Sequence, residues 1–380
     1  MKDIQRHLPP IYSVLKPIRF KQPKKYVCPN SIPIFTIDAG DVDIAKIDFI
    51  FEAGDWYQPQ ALVASSVVAL LQEGSNRFTA EEIAEKLDFL GSYIYTSSSK
   101  HTASISVYCL NKHFEETIRI IEDIIKNPLF PEEKIKTYIQ KKYQQYTIEA
   151  QKVEVISQKK FTSILFGNNH PYGISAEPDD FLQIQRATCK TFHKEFYNSD
   201  NCKIIVAGKV RSMHIDILKQ LFGIKPWNVL EIISEIPTYI STPNTDKKHY
   251  FPKEQAVQSA IRVGKMLINK YNPDYPALQV LNTILGGYFG SRLMSNVRED
   301  KGYTYGIGSG IVSHRTAGYF VIASQVGKDV CQKALDEVYF EIKRLRTETI
   351  PNEELETVRN YMLATIARNF EFFVWNSFGT

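Results

Sequence analysis

Eight histidines decide most of the metal chemistry open to this sequence. They stand at His7, His101, His113, His170, His193, His214, His249 and His314, and no two lie within five residues of each other. A hydrolytic zinc site on a helix needs two imidazoles one turn apart beside a carboxylate, as H-E-x-x-H or its inverse H-x-x-E-H, so that their lone pairs converge on one ion. The spacing excludes such a site in this chain. His170, in GNNHPYG, reads as a loop-ordering residue, and His193, in TFHKEFY, as part of an amphipathic helix. Cys28, Cys109, Cys189, Cys202 and Cys331 are scattered without any C-x-x-C, so neither a disulfide framework nor a thiolate zinc site is indicated and a reducing compartment fits. There is no G-x-S-x-G elbow, P-loop or G-x-G-x-x-G after a strand.

One segment, LGGYFGSRLMSNVREDKGYTYGIGSG, retains polar chemistry. Gly286, Gly287 and Gly290 interrupt helical text just before a new helix and allow close backbone approach by another chain. Arg298 falls in the last turn of the helix that Gly302 ends, and Tyr305 two residues into the next strand. A guanidinium donates in a fixed fork to carbonyl or carboxylate oxygens, and a phenol can donate to a developing oxyanion. Spacing alone favours the plainer alternative, an arginine complementing the helix dipole and a tyrosine packing in a strand.

The elements that must position this segment come in two similar series. In the first, PIFTIDAG and KIDFIFEAGDWYQP read as strands, and ALVASSVVALLQEG reads as a helix closed by Gly74. TAEEIAEKLDFLG is a helix with a Thr79/Glu82 capping box, closed by Gly91. SYIYTSSSKHTASISVYCL alternates as a hairpin, HFEETIRIIEDIIKNP and the text after Pro131 are helices, and KIIVAGKV is a buried strand. In the second series AVQSAIRVGKM, ALQVLNTILGG, TYGIGSGIVSHRTAGYFVIAS and VCQKALDEVYFEIKRLR repeat the order. Gly74 recurs as Gly287, Gly91 as Gly302 and Pro131 as Pro351, at offsets of 213, 211 and 220 residues. The expected class is α+β with two homologous halves. These are residues 1–225, a linker over 226–247, and residues 248–380 carrying the glycine-rich and Arg/Tyr segment. The second copy stops at NFEFFVWNSFGT, inside helical text and before its closing strand, and is expected to be truncated.

A length of 380 residues exceeds what one hydrophobic core usually supports. With 43% hydrophobic and 23% charged residues the composition is that of a folded globular chain. The net charge of +4 is too slight for a nucleic-acid footprint. The longest near-continuous apolar stretch, Ala61 to Leu71, is too short to span a bilayer. The expectation is a cytoplasmic protein without nucleic-acid or membrane partners.

Taken together, FEAGDWYQP, TAEEIAEKLDFLGS, NPLFPEEKI, FGNNHPYG and above all ILGGYFGSRLMSNVREDKGYTYGIGS resemble the peptidase family of pitrilysin, insulinase and the mitochondrial processing peptidase, in its short bacterial branch. The last stretch is similar to the family's G-G-x-x-S-R-L-x-x-x-V-R-E-x-x-G-x-x-Y signature. The resemblance implies two homologous halves, each a mixed or antiparallel sheet packed by helices, that form a clam-shell half-chamber. It also exposes a departure, because the family's H-x-x-E-H falls on Ser65 to Ala69, SSVVA, and its third ligand, a glutamate, on Gln144 or Gln145. No zinc is therefore expected in this chain. Arg298 and Tyr305 match the family residues that reach the substrate, with Gly286, Gly287 and Gly290 beside them. What the resemblance implies is the zinc-free member of a heterodimer, inactive alone, whose homologous partner carries H-x-x-E-H and the zinc. The alternative is an inactive peptide-binding or structural subunit.

Overall fold

Alternation of apolar and polar side chains builds the first sheet. Strands β1 (Lys24–Val27), β2 (Pro33–Asp38) and β3 (Ile44–Phe51) open it, and along β3 Ala45, Ile47, Phe49 and Phe51 turn inward while their neighbours stay half-exposed. The computed structural model describes residues 21–229 and 237–375, so sequence expectations for residues 1–20, 230–236 and 376–380 lie outside the described residues. After β3 come helices α1 (Val63–Leu70) and α2 (Ala80–Phe89), the hairpin β4 (Tyr93–Ser98) and β5 (Ala103–Leu110), and helices α3 (Phe114–Lys126), α4 (Glu132–Glu149), α5 (Val153–Phe166), α6 (Pro178–Leu182) and α7 (Arg186–Phe196). Strand β6 (Cys202–Gly208) and helix α8 (Ser212–Leu218) complete this half. The sheet order is β1-β2-β6-β3-β5-β4, antiparallel except for β2 beside β6.

Only one face of this sheet is sealed by helices. Ile47 and Phe49 of β3, Ile105 and Val107 of β5, and Ile204 and Val206 of β6 pack with α1 and α3, whose Val67 and Ile121 are fully buried. Helix α3 presents Phe114, Ile118, Ile121 and Ile125 at helical spacing, which is why it lies flat on the sheet. Helix α2 starts on the expected capping box, Glu82 N–H donating to Thr79 Oγ1 at 3.2 Å and Thr79 N–H to Glu82 Oε2 at 2.8 Å. Gly74 departs from its expected place as a helix terminator. Helix α1 stops at Leu70, and Gly74, at φ 132°, instead forms an isolated bridge with Thr79 and accepts from Leu129 N–H at 2.9 Å.

The second half is smaller. It comprises β7 (Gln258–Leu267), α9 (Tyr275–Asn282), β8 (Thr304–Ser313), β9 (Gly318–Gly327), α10 (Cys331–Thr347) and α11 (Asn352–Trp375), with its antiparallel sheet in the order β7-β9-β8. Leu293, Val297, Ile322, Val326 and Val338 are the heart of its core. Two wide π-helical stretches, Thr283–Gly287 and Met294–Asp300, replace the regular helix that the sequence suggests around the glycines.

Helix α5 of the first half carries the second sheet. Arg262 of β7 donates to Ser157 Oγ at 3.1 Å, Gln325 of β9 to Glu154 Oε2 at 2.6 Å, and Phe161 and Phe166 meet Tyr319 edge-on. The chain between the halves is held to the same helix, Thr242 N–H donating to Phe166 O at 3.0 Å and Asn244 N–H to Ile164 O at 2.8 Å. Because Phe49 is fully enclosed between the first sheet and Phe222, 4.8 Å away, Phe49→Ala leaves a cavity that should lower unfolding free energy by about 3–5 kcal/mol. Urea denaturation checks this, and a loss below about 1 kcal/mol would contradict the packing.

Candidate functional site

Met294–Asp300 and the start of β8 form a corner that carries a half-buried Arg298 and an exposed Tyr305. Gly302, at φ 66°, makes the turn between them, a conformation that disfavours any side chain. The pairing of β8 with β9 then slips: Thr304 opposes Val326 while Ile307 opposes Ser324, which leaves one extra residue on β8. Such a bulge re-aims the side chains it contains. Tyr305 sits in it and is 95% exposed.

Hydroxyl groups pin the bulge. Thr304 Oγ1 accepts from Gly306 N–H at 3.1 Å and lies 2.7 Å from Gln325 O, and Ser324 Oγ donates to Gly306 O at 3.0 Å. An isolated glycine inside strand-like text, here Gly306 in TYGIG, is the sequence signal that could have revealed the irregularity. Thr304 itself carries no such signal.

Arg298 makes no ion pair among the described residues. Its guanidinium lies over the ring of Phe289, 4.7 Å from the centroid. That stack orients the plane of the guanidinium yet leaves its N–H groups available to an incoming oxygen. Phe289, itself 64% exposed, belongs to the glycine-rich stretch, so Gly287 and Gly290 flank the residue on which Arg298 rests. Gly286 has a different neighbour. A side chain there would meet Ser309 N of β8 at 2.6 Å, so its lack of one lets Thr283–Gly287 lie directly on the strand.

Positions 65, 69, 144 and 145 belong to the other half. Ser65 donates to Leu62 O at 3.1 Å within α1, and together with the buried Ser66 hydrogen-bonds the phenol of Tyr138 on α4, whose pKa burial pushes up. Ala69 offers no ligand atom, Gln144 is exposed, and the exposed Gln145 donates its amide to Glu149 Oε1 at 3.0 Å. A hydroxyl already engaged, a methyl and neutral amides do not fit zinc. Among the described residues no three His, Cys, Asp or Glu side chains gather closely enough to hold a metal ion. The sequence-selected residues thus fall into two groups, with Arg298, Tyr305 and the glycines together in the second half, and the serine, alanine and glutamine positions on α1 and α4 of the first.

His170 does order its loop, Nδ1 accepting from Tyr172 N–H at 3.1 Å. His193 lies on α7, its Nε2 2.8 Å from Ile125 O. Among the described residues no helix is long and apolar enough to cross a membrane.

Two measurements follow from this geometry. Thr304→Val removes the acceptor for Gly306 N–H, so amide exchange at Gly306 should speed up roughly tenfold, equivalent to about 1.4 kcal/mol; unchanged exchange would mean that the bulge is held otherwise. After incubation with zinc and desalting, the chain should retain far less than one equivalent by plasma mass spectrometry. A full equivalent would contradict the ligand assignment.

Comparison with known proteins agrees with the two-half fold. Residues 183–362 match the family described as Peptidase M16 inactive domain. The uncharacterized zinc protease YmxG of Bacillus subtilis (strain 168) is 22% identical over 351 residues, covering 92% of this chain and 84% of that protein. The mitochondrial-processing peptidase subunit alpha-1 of Dictyostelium discoideum is 24% identical over 216 residues, 54% of this chain and 32% of its own length. A crystal structure of a peptidase M16 inactive domain from Pseudomonas fluorescens has the same fold, with a TM-score of 0.80 at 23% identity, covering 90% of this chain and 84% of that one. In its matched segment, its relatives and its fold, this chain is similar to proteins of the M16 peptidase family, the match to the inactive domain lying in residues 183–362.

Proposed function

We propose that the chain is the zinc-free subunit of a heterodimeric metallopeptidase of the bacterial cytoplasm, built from residues 1–225 and 248–380 joined by 226–247. Its partner is a homologous chain with an intact H-x-x-E-H helix, which supplies the zinc. This subunit supplies Arg298 and Tyr305 to the bound peptide, and Gly287 and Gly290 let peptide backbone approach beside them, whereas the expected role of Gly286 is not kept because it is buried against Ser309 of β8. The observation that carries the reading is an exposed phenol and a ring-stacked guanidinium that makes no ion pair, together with a first half in which, among the described residues, no three His, Cys, Asp or Glu side chains gather around a common point. Similarity to a protein named as the alpha subunit of a processing peptidase supports a role in a pair.

In this reading Arg298 donates from its N–H fork to a carbonyl or carboxylate of the peptide, while the Tyr305 hydroxyl donates to the oxyanion that develops on the scissile carbonyl. Until the peptide and the partner close over them, both donors are free to bond water rather than tied up within the chain. Burial at that moment removes competing water and strengthens both hydrogen bonds.

Co-expression with an H-x-x-E-H homologue, followed by a peptide cleavage assay, tests the proposal. Tyr305→Phe should leave assembly intact and lower kcat by roughly 10²–10³, the usual effect of deleting one oxyanion donor. Wild-type turnover in that variant complex would remove Tyr305 from the chemistry. Metal-dependent cleavage by the purified chain alone would refute the subunit assignment, and peptide binding without turnover by the assembled pair would favour a purely peptide-binding subunit.

A further inference from the structure

Rings from both halves converge where the β8–β9 turn meets the first half. Trp56 stacks on His101 with centroids 4.9 Å apart and meets Tyr172 at 5.3 Å; His314, in the turn, stacks on Tyr172 at 4.0 Å. The Tyr172 hydroxyl joins the two sides, 2.6 Å from His101 Nε2 and 2.9 Å from Thr316 Oγ1. Tyr239, from the segment between the halves, closes over Trp56 at 5.0 Å. The turn is further tied by Arg315, which donates to both carboxylate oxygens of Glu52 at 2.7 and 3.0 Å.

Two of the three histidines, His170 and His101, are built into their sites as neutral rings. His170 Nδ1 already accepts from Tyr172 N–H, so a proton placed there would set two N–H groups against each other. His101 Nδ1 is buried without a partner, and a proton there would create a buried cationic donor with no acceptor. The charged groups around the cluster are balanced before any proton arrives. Lys100 pairs with Asp55 at 2.9 Å and Arg315 with Glu52, to which the Tyr57 hydroxyl also donates at 3.2 Å. Every proton taken up is therefore an uncompensated positive charge beside Lys100 and Arg315.

We propose that this cluster is an acid-operated latch between the halves: protonation of its histidines releases the β8–β9 turn from the first half. The contacts of Arg262 and Gln325 with Ser157 and Glu154, at the opposite end of α5, remain as the pivot. Strand β8 runs from that turn to Tyr305, roughly 25–30 Å away at the usual rise per residue, so release at the turn shifts the far end of the strand. The latch stands independently of the peptidase reading.

Burial holds His101, His170 and His314 below the ordinary imidazole range, His314 at about 4, where the neighbouring Lys100, His101 and His170 add to the effect. The sign follows from linkage. Once released, the rings return toward their ordinary value of about 6.5 and bind protons more readily than in the closed joint, so acid favours release. The contribution of the joint is complete above about pH 6.5, declines as pH falls, and is lost near pH 4.

Small-angle scattering and far-UV circular dichroism of the chain across this range test the latch. The radius of gyration should rise between about pH 6.5 and 4 while the helical signal persists. His314→Phe keeps a ring on Tyr172 but cannot take a proton, and should move the midpoint down by roughly half a pH unit or more. A constant radius, expansion that coincides with loss of helix, or an unshifted midpoint in the variant would each overturn the proposal. Should His314→Phe fail to fold, ring titration in the wild-type chain by NMR decides: titration of His314 well below pH 6 supports the latch, and titration near 6.5 refutes it.

Discussion

Everything presented by the second half depends on the seat that α5 gives its sheet. Three strands and a modest apolar core are little on their own, and one face of β7 is closed by a helix from the other half. The fit is close enough that Gly264 has no room for a side chain, since a Cβ there would lie 2.6 Å from Phe161 Cζ. Hydrogen bonds to Glu154 and Ser157 at one end of α5 and the ring of Phe166 at the other then fix the orientation. Tyr305 lies where it does because the strand that carries it is anchored elsewhere.

The halves share an architecture and differ in what they place on it. The first is dense with buried aliphatic and aromatic residues, and at the positions where the family resemblance would put metal ligands it has serine, alanine and glutamine on α1 and α4. The second has a bulge, two π-helical stretches and a ring-stacked arginine within a short span. Local irregularity of this kind costs backbone hydrogen bonds, and here it yields side chains aimed outward.

Much of this was legible in the sequence because it rests on short-range rules. Alternation marked β3 and β5, the Thr79/Glu82 pair marked the start of α2, and the position of Tyr305 near the start of β8 followed from Gly302. Gly74 misled because a left-handed glycine after a helix can serve either a cap or a bridge, and the bridge to Thr79 is a tertiary choice. The bulge at Tyr305 depends on Ser324, a residue of the next strand, and the histidine cluster joins residues more than a hundred positions apart. No local pattern encodes contacts of that range.

The central claim is that Tyr305 acts on a peptide held at a partner's metal. The most direct measurement is single-turnover cleavage by the complex of this chain with an H-x-x-E-H homologue, comparing wild type with Tyr305→Phe at saturating peptide. A loss of roughly 10²–10³ in the cleavage rate with unchanged complex formation is the expected result, and equal rates in the two complexes would contradict it.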